Sequence, residues 1–168
     1  MNEGNVMGNM STLEQKVDVL LRFCMAKTEA ERSACYGDLR QVQSAASEQI
    51  QIYTCTERVL MELGISDKLK GFVYLQTAIA IILGEPDAAY AITTVVYPRV
   101  AKVHKTVPPA VERCIRHAIE WGWLRCDSYT QEKYFANQVD PLRGKPTNGQ
   151  FLIRVAHVVR NSISCLQN

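Results

Sequence analysis

Apolar residues recur along most of this chain at spacings of three and four, the period of helices that cover one face. Leu13, Val17, Leu20 and Cys24 form one stripe; Cys35/Tyr36, Leu39, Val42, Ala46 and Ile50 form a second. Each stripe follows a capping-box pattern, Ser11-x-x-Glu14 and Thr28-x-x-Glu31, in which the hydroxyl accepts from a first-turn amide and the glutamate reaches back. The pattern predicts a helical hairpin turning near Ala26–Thr28. Ile52, Cys55, Val59, Leu60 and Leu63 prolong the second stripe with no breaker before Gly64. Either one long helix spans about Glu29 to Leu63, or it breaks near Tyr53–Thr56. Such a long, narrow seam suits pairing in a homodimer, and equally suits covering the domain that follows.

Beyond Gly64 the units shorten. Ser66 or Asp67 is placed to cap a helix carrying Leu69, Phe72, Leu75, Ile79 and Ile82 to Gly84. Pro86 opens a short helix near Asp87–Val96, Pro98 another to His104, and Pro108–Pro109 a third, about Pro109 to Trp123; proline fits a first helical position, where its missing N–H would be unpaired anyway. A short helix is expected over Asp127–Phe135, a loop over Asn137–Asn148, and a last helix over Asn148–Asn161. The expected fold is all-α: an N-terminal helical hairpin, then a multi-helix domain, with the division at residues 54 and 55. No internal repeat is present.

Composition narrows the function. The 168 residues are 47% apolar and 21% charged, a globular balance. The longest apolar run, Tyr74–Leu83, is too short to span a membrane, and the polar N-terminus is not a secretory signal. A cytoplasmic location with reduced cysteines is therefore expected; the six cysteines lack any C-x-x-C pair. The formal net charge is only +2, but it is unevenly spread. Up to Ile52 there are five Lys and Arg against seven Asp and Glu; Arg99–Arg125 carries six basic residues against two acidic.

That basic stretch holds two short helices joined by a tight turn, the elements of a helix-turn-helix. The second helix would bury Val111, Ile115, Ala118 and Ile119 and project Glu112, Arg113, Arg116 and His117. Arginine forks suit guanine edges, glutamate suits the cytosine amino group, and His117 suits a phosphate or a thymine. The plainer reading is a solvated face with a Glu112–Arg116 ion pair. Cys114-x-x-His117, with His104 and Cys126, also permits a metal or thiol-enzyme reading, but no second ligand pair has suitable spacing. There is no phosphate-binding glycine loop and no nucleophile elbow. No cofactor, metal or enzyme activity is expected.

From about Glu57 to Arg160 the chain resembles the C-terminal DNA-binding domain of the stage-zero sporulation master response regulator of endospore-forming bacteria. The resemblance rests on Leu69-Lys70-Gly71-Phe72-Val73-Tyr74-Leu75, Tyr97-Pro98-x-Val100-Ala101-Lys102, Val111-Glu112-Arg113-x-Ile115-Arg116-His117-Ala118-Ile119-Glu120 and Gly144-Lys145-Pro146-Thr147-Asn148. It implies a helix-turn-helix that reads promoter elements in double-stranded DNA and engages RNA polymerase through its sigma subunits. It makes Glu112, Arg113 and Arg116 base-reading residues. His117, Lys145, Thr147, Asn148, Lys102 and Lys105 become contacts to the DNA backbone or bases, with capping of the last helix the competing role for Thr147 and Asn148.

Three departures stand out. About 55 helical residues replace the family's phosphorylatable receiver domain, so phosphorelay control is not implied. Pro109-Ala110 replaces a Ser-Arg pair that would supply DNA contacts. Gly122 lies in the last turn of the recognition helix and could end it early. A protein-interaction module, antagonising a full-length regulator through a vestigial DNA surface, is the alternative.

Overall fold

The computed structural model describes residues 12–136, 139 and 144–166. Among the described residues seven α-helices follow one another: α1 (Thr12–Met25), α2 (Glu29–Glu62), α3 (Lys70–Gly84), α4 (Tyr97–Val103), α5 (Pro108–Trp123), α6 (Ser128–Phe135) and α7 (Asn148–Leu166). No strand occurs among the described residues, and the fold is all-α. The chain divides into two compact units, Met1–Ile50 and Gln51–Asn168, the division falling inside α2. That helix runs unbroken through Tyr53–Thr56.

In the first unit the Thr28 capping box forms. Thr28 Oγ1 accepts from the Glu31 amide at 3.3 Å, and Glu31 Oε2 accepts from the amides of Lys27 and Thr28 at 2.7 and 3.1 Å. Those backbone donors, Lys27 first, hold the Glu31 carboxyl below the usual range. Ser11 of the other box lies outside the described residues. Arg22 ties the hairpin together, meeting Asp18 at 3.0 Å and Asp38 at 3.1 Å. The stripe on α1 does not face inward as a hairpin core would require. Val19 is buried, and Phe23, four residues on, meets Tyr36 with ring centroids 5.0 Å apart. Val17 and Leu20 are 47% and 50% exposed, and Cys24 is exposed with them. Helical periodicity groups these side chains on one face but does not say what that face meets.

In the second unit α3 is the centre. Phe72, Leu75, Ala78, Ile79 and Ile82 are buried, and α5 and α7 pack on it. Leu69 is its N-cap, with no side-chain bond; Ser66 instead accepts from the Lys68 amide in a local turn, so the expected Ser66 or Asp67 cap is not made. Asp127 does cap α6, accepting from the Thr130 amide at 2.9 Å. The single short helix expected over Asp87–Val96 is a 3-10 turn (Pro86–Tyr90) followed by a π-helical turn (Ile92–Val96). Pro98 accounts for the second: it brings no N–H to the carbonyl four residues back and crowds it, so the ladder widens ahead of α4. α7 continues past Asn161 to Leu166, where no Gly or Pro intervenes. Ser162 and Ser164 return their hydroxyls to the carbonyls of Val158 and Arg160, both at 3.0 Å.

Gly122 does not end α5, which reaches Trp123. It is a point of close approach: a Cβ there would lie 2.4 Å from Ile65 Cγ1 and 2.7 Å from the Leu63 carbonyl. The facing turn closes α2 with Gly64 at φ 75° and the paired bonds Ile65 N to Leu60 O and Gly64 N to Met61 O.

Candidate nucleic-acid interface

Four residues, 104–107, join α4 to α5. α4 ends in the same pair of hydrogen bonds as α2, Thr106 N to Ala101 O at 2.9 Å and Lys105 N to Lys102 O at 3.4 Å. Here the left-handed residue is Lys105, at φ 51°, an arrangement that costs a non-glycine residue about 1 kcal/mol. The exposed side chains of Lys102 and Lys105 stand at the end of α4 and in the turn. His104 points inward. Its Nε2 lies 2.8 Å from Thr77 Oγ1 and its ring 4.9 Å from that of Tyr74. The Thr77 hydroxyl donates to the Val73 carbonyl, so the imidazole N–H is the donor to Thr77. The contact fastens the turn to α3.

α5 starts on two prolines with Val107 as an extended N-cap and no capping side chain. Val111, Ile115, Ala118 and Ile119 are buried. Gly71 lets α3 approach so closely that a Cβ on it would sit 2.2 Å from the Cys114 carbonyl and 2.7 Å from Ala118 Cβ. With that side against α3, Arg113, Arg116 and His117 are exposed on the other, and Glu112 is half-buried. Glu112 and Arg116 pair at 2.9 Å, the ion pair of the plainer reading. Arg113 has no partner among the described residues. Further along, the Arg125 guanidinium lies 3.5 Å from the centroid of Trp121, a cation–π contact.

Residues 144–148 form a strap along α5. Trp123 Nε1 donates to the Gly144 carbonyl at 2.7 Å. Lys145 pairs with Glu120, and its ammonium holds that carboxyl below the usual range, chiefly by hydrogen bonding. Thr147 makes a capping box with Gln150: its Oγ1 accepts from the Gln150 amide at 3.3 Å, and Gln150 Oε1 accepts from the Thr147 amide at 2.9 Å. Asn148 does not share that capping role. Its Nδ2 donates to the Tyr97 hydroxyl and to the Glu112 carbonyl, each at 3.2 Å. Tyr97 is buried, which pushes its phenol up from the ordinary value. A cleft of about 510 Å³ opens here, lined by Tyr97, Glu112, Arg116, Lys145, Thr147 and Asn148 among others.

Of the residues singled out from sequence, Glu112, Arg116, Lys145, Thr147 and Asn148 thus meet around one cleft. Arg113 and His117 stand on the outer face of α5, and Lys102 and Lys105 on α4 and its turn. Tyr97 and Trp123 were assigned no role, although each is an aromatic ring with a polar tip that seeks a partner when covered. Among the described residues no group of three or more His, Cys, Asp and Glu is placed to hold a metal ion, and no helix is long and apolar enough to cross a membrane.

A short helix, a four-residue turn and a longer helix with a basic outer face, all seated on a buried central helix, define an all-helical module. Residues 56–159 match the family described as Sporulation initiation factor Spo0A C terminal, and the chain belongs to that family. The family is a DNA-binding, regulatory domain of a sporulation regulator rather than a catalytic one, so DNA binding and transcription regulation are the business of this chain.

Proposed function

We propose that the chain binds double-stranded DNA sequence-specifically, with α5 in the major groove and Glu112, Arg113 and Arg116 toward the base edges. The observation that carries this reading is Arg113: an exposed guanidinium without a partner among the described residues, one residue before the backbone that packs on Gly71. Lys102, Lys105 and His117 supply contacts at its margins. Lys145 reaches a phosphate only by exchanging Glu120 for it, and Thr147 and Asn148 contribute mainly by holding the strap. Residues 12–50, in α1 and the first part of α2, are not a βα receiver, and on this reading control through them is independent of aspartate phosphorylation. The outward stripe on α1 supports a homodimer. A contact with a sigma subunit of RNA polymerase, and a site of action on the cytoplasmic nucleoid, follow from the resemblance.

Selection of oligonucleotides by the intact chain, followed by titration at several salt concentrations, tests the reading. Arg113→Ala is expected to weaken a selected site by about 1–3 kcal/mol, roughly fivefold to 150-fold, and to relax preference at one position. Absence of preference for any duplex, together with tight binding to a full-length regulator, would replace it with the protein-interaction alternative. That alternative draws on Pro109-Ala110 and on the pairing of Arg116 with Glu112 and of Lys145 with Glu120.

A further inference from the structure

The geometry points to Tyr97 and Asn148 as positioning residues that together latch the first turns of α5 in the attitude from which Glu112 and Arg113 read bases. The inference rests on the DNA-binding reading for its functional half only.

Packing of Val111 holds the start of α5, but among the described residues few polar ties fix its attitude. The N-cap, Val107, offers no side-chain acceptor, and Pro108 and Pro109 have no N–H through which a neighbouring element could grip the first turn. Among the described residues the side-chain tether from outside the helix that lies nearest this start is sideways, at Glu112. There the carbonyl accepts from Asn148 Nδ2 at 3.2 Å while the same carboxamide nitrogen donates to the Tyr97 hydroxyl. Both protons of that nitrogen are thereby used, one on α4 and one on α5, from the first residue of α7.

The three helices are thus joined at one atom. Thr147 and Gln150 fix the start of α7, so Asn148 approaches from a fixed direction. Tyr97 is 5% exposed and cannot itself touch a duplex. Moving Glu112 would carry Arg113 with it, and its own carboxylate is already oriented by Arg116. The latch therefore acts on specificity, through position, rather than on the attraction that any phosphate backbone exerts.

The test uses the intact chain with Tyr97→Phe, Asn148→Ala and the double variant. Hydrogen–deuterium exchange, read without DNA, is expected to quicken at the amides of residues 113–116 and to stay unchanged at 119–123 and in α3. The ratio of selected-site to random-duplex affinity is expected to fall about threefold to tenfold in each single variant, the worth of a hydrogen bond or two. The double variant should add little, as for residues acting through one chain of bonds. Random-duplex affinity and its salt slope should be unaltered in Tyr97→Phe. Unchanged exchange at 113–116, or an increase spread evenly over α3, α5 and α7, overturns the latch whatever the duplexes show. An unaltered affinity ratio in a chain whose parent does discriminate overturns it as well. Localised quickening in a chain that prefers no duplex supports the latch and counts instead against sequence-specific DNA binding.

Discussion

Replacing Gly71 by alanine tests the packing that presents α5. In an isolated helix the change would help, by up to about 1 kcal/mol, since glycine has more conformational freedom to lose. Here the new Cβ would fall 2.2 Å from the Cys114 carbonyl oxygen and 2.7 Å from Ala118 Cβ. The first obstacle is main chain and cannot rotate aside. α3 and α5 must therefore separate by about 1 Å before the contact becomes tolerable. Overpacking of this kind costs about 1–3 kcal/mol, and a backbone obstacle belongs at the upper end. After the helix gain is offset, a net destabilisation of about 2 kcal/mol is expected. For a unit of this size that lowers Tm by roughly 6–10 °C. Calorimetry of the two proteins side by side gives the shift. Titration with a selected duplex well below both transitions should show a further loss of affinity, because Cys114 adjoins Arg113 and moves with the helix. A Gly71→Ala protein as stable as the parent, or more so, would mean that the close approach of α3 and α5 has been misread.

The acid side of the stability curve offers an independent check. Glu62 accepts from the Tyr134 hydroxyl at 2.5 Å and from Lys133 at 2.9 Å, and these donors, Tyr134 first, hold its carboxyl below the usual range. A carboxyl whose pKa is depressed by folding stabilises above its ordinary value and ceases to as the pH falls through the folded one. Glu62→Gln should accordingly flatten the fall of Tm between about pH 5 and pH 3 while leaving the slope near pH 7 alone; an unchanged acid limb would argue that the contact contributes nothing. The exposed stripe on α1 makes a different demand. If it seats a second copy, the intact chain should sediment as a dimer and Leu20→Glu should sediment as a monomer, and a parent that is monomeric at high concentration excludes the arrangement.

The helices of the second unit could be read from punctuation. Pro98, Pro108 and Pro109 mark starts, Asp127 caps α6, and the period of Val111, Ile115, Ala118 and Ile119 separates buried from outward positions. What escaped reading depends on partners distant in sequence. Val17, Leu20 and Cys24 were visible as a stripe, yet only the contact of Phe23 with Tyr36 reveals that α1 turns another face to α2. Gly122 looked like a helix breaker because its reason for being small, the chain at Leu63–Ile65, lies nearly sixty residues earlier. Asn148 looked like a cap or a DNA contact, and its true neighbours are a tyrosine on α4 and a carbonyl on α5. The outer face of α5 fell between these cases: helical phase located its exposed residues, whereas the pairing of Arg116 with Glu112 could be offered only as an alternative.

The two ion pairs beside the cleft, Glu112–Arg116 and Glu120–Lys145, carry a consequence for how binding would respond to salt. A cation that waits for DNA bare contributes by releasing the counterions condensed on the phosphate it meets. Arg116, turned toward the base edges, and Lys145, turned toward the backbone, both wait with carboxylates attached, which do not diffuse away when DNA arrives. At Lys145 the contact is an exchange of anions at a fixed point, and at both positions the displaced carboxylate stays to repel any phosphate that is misplaced. A surface built this way trades affinity for discrimination. Its slope of affinity against salt should be shallower than a count of its basic residues implies.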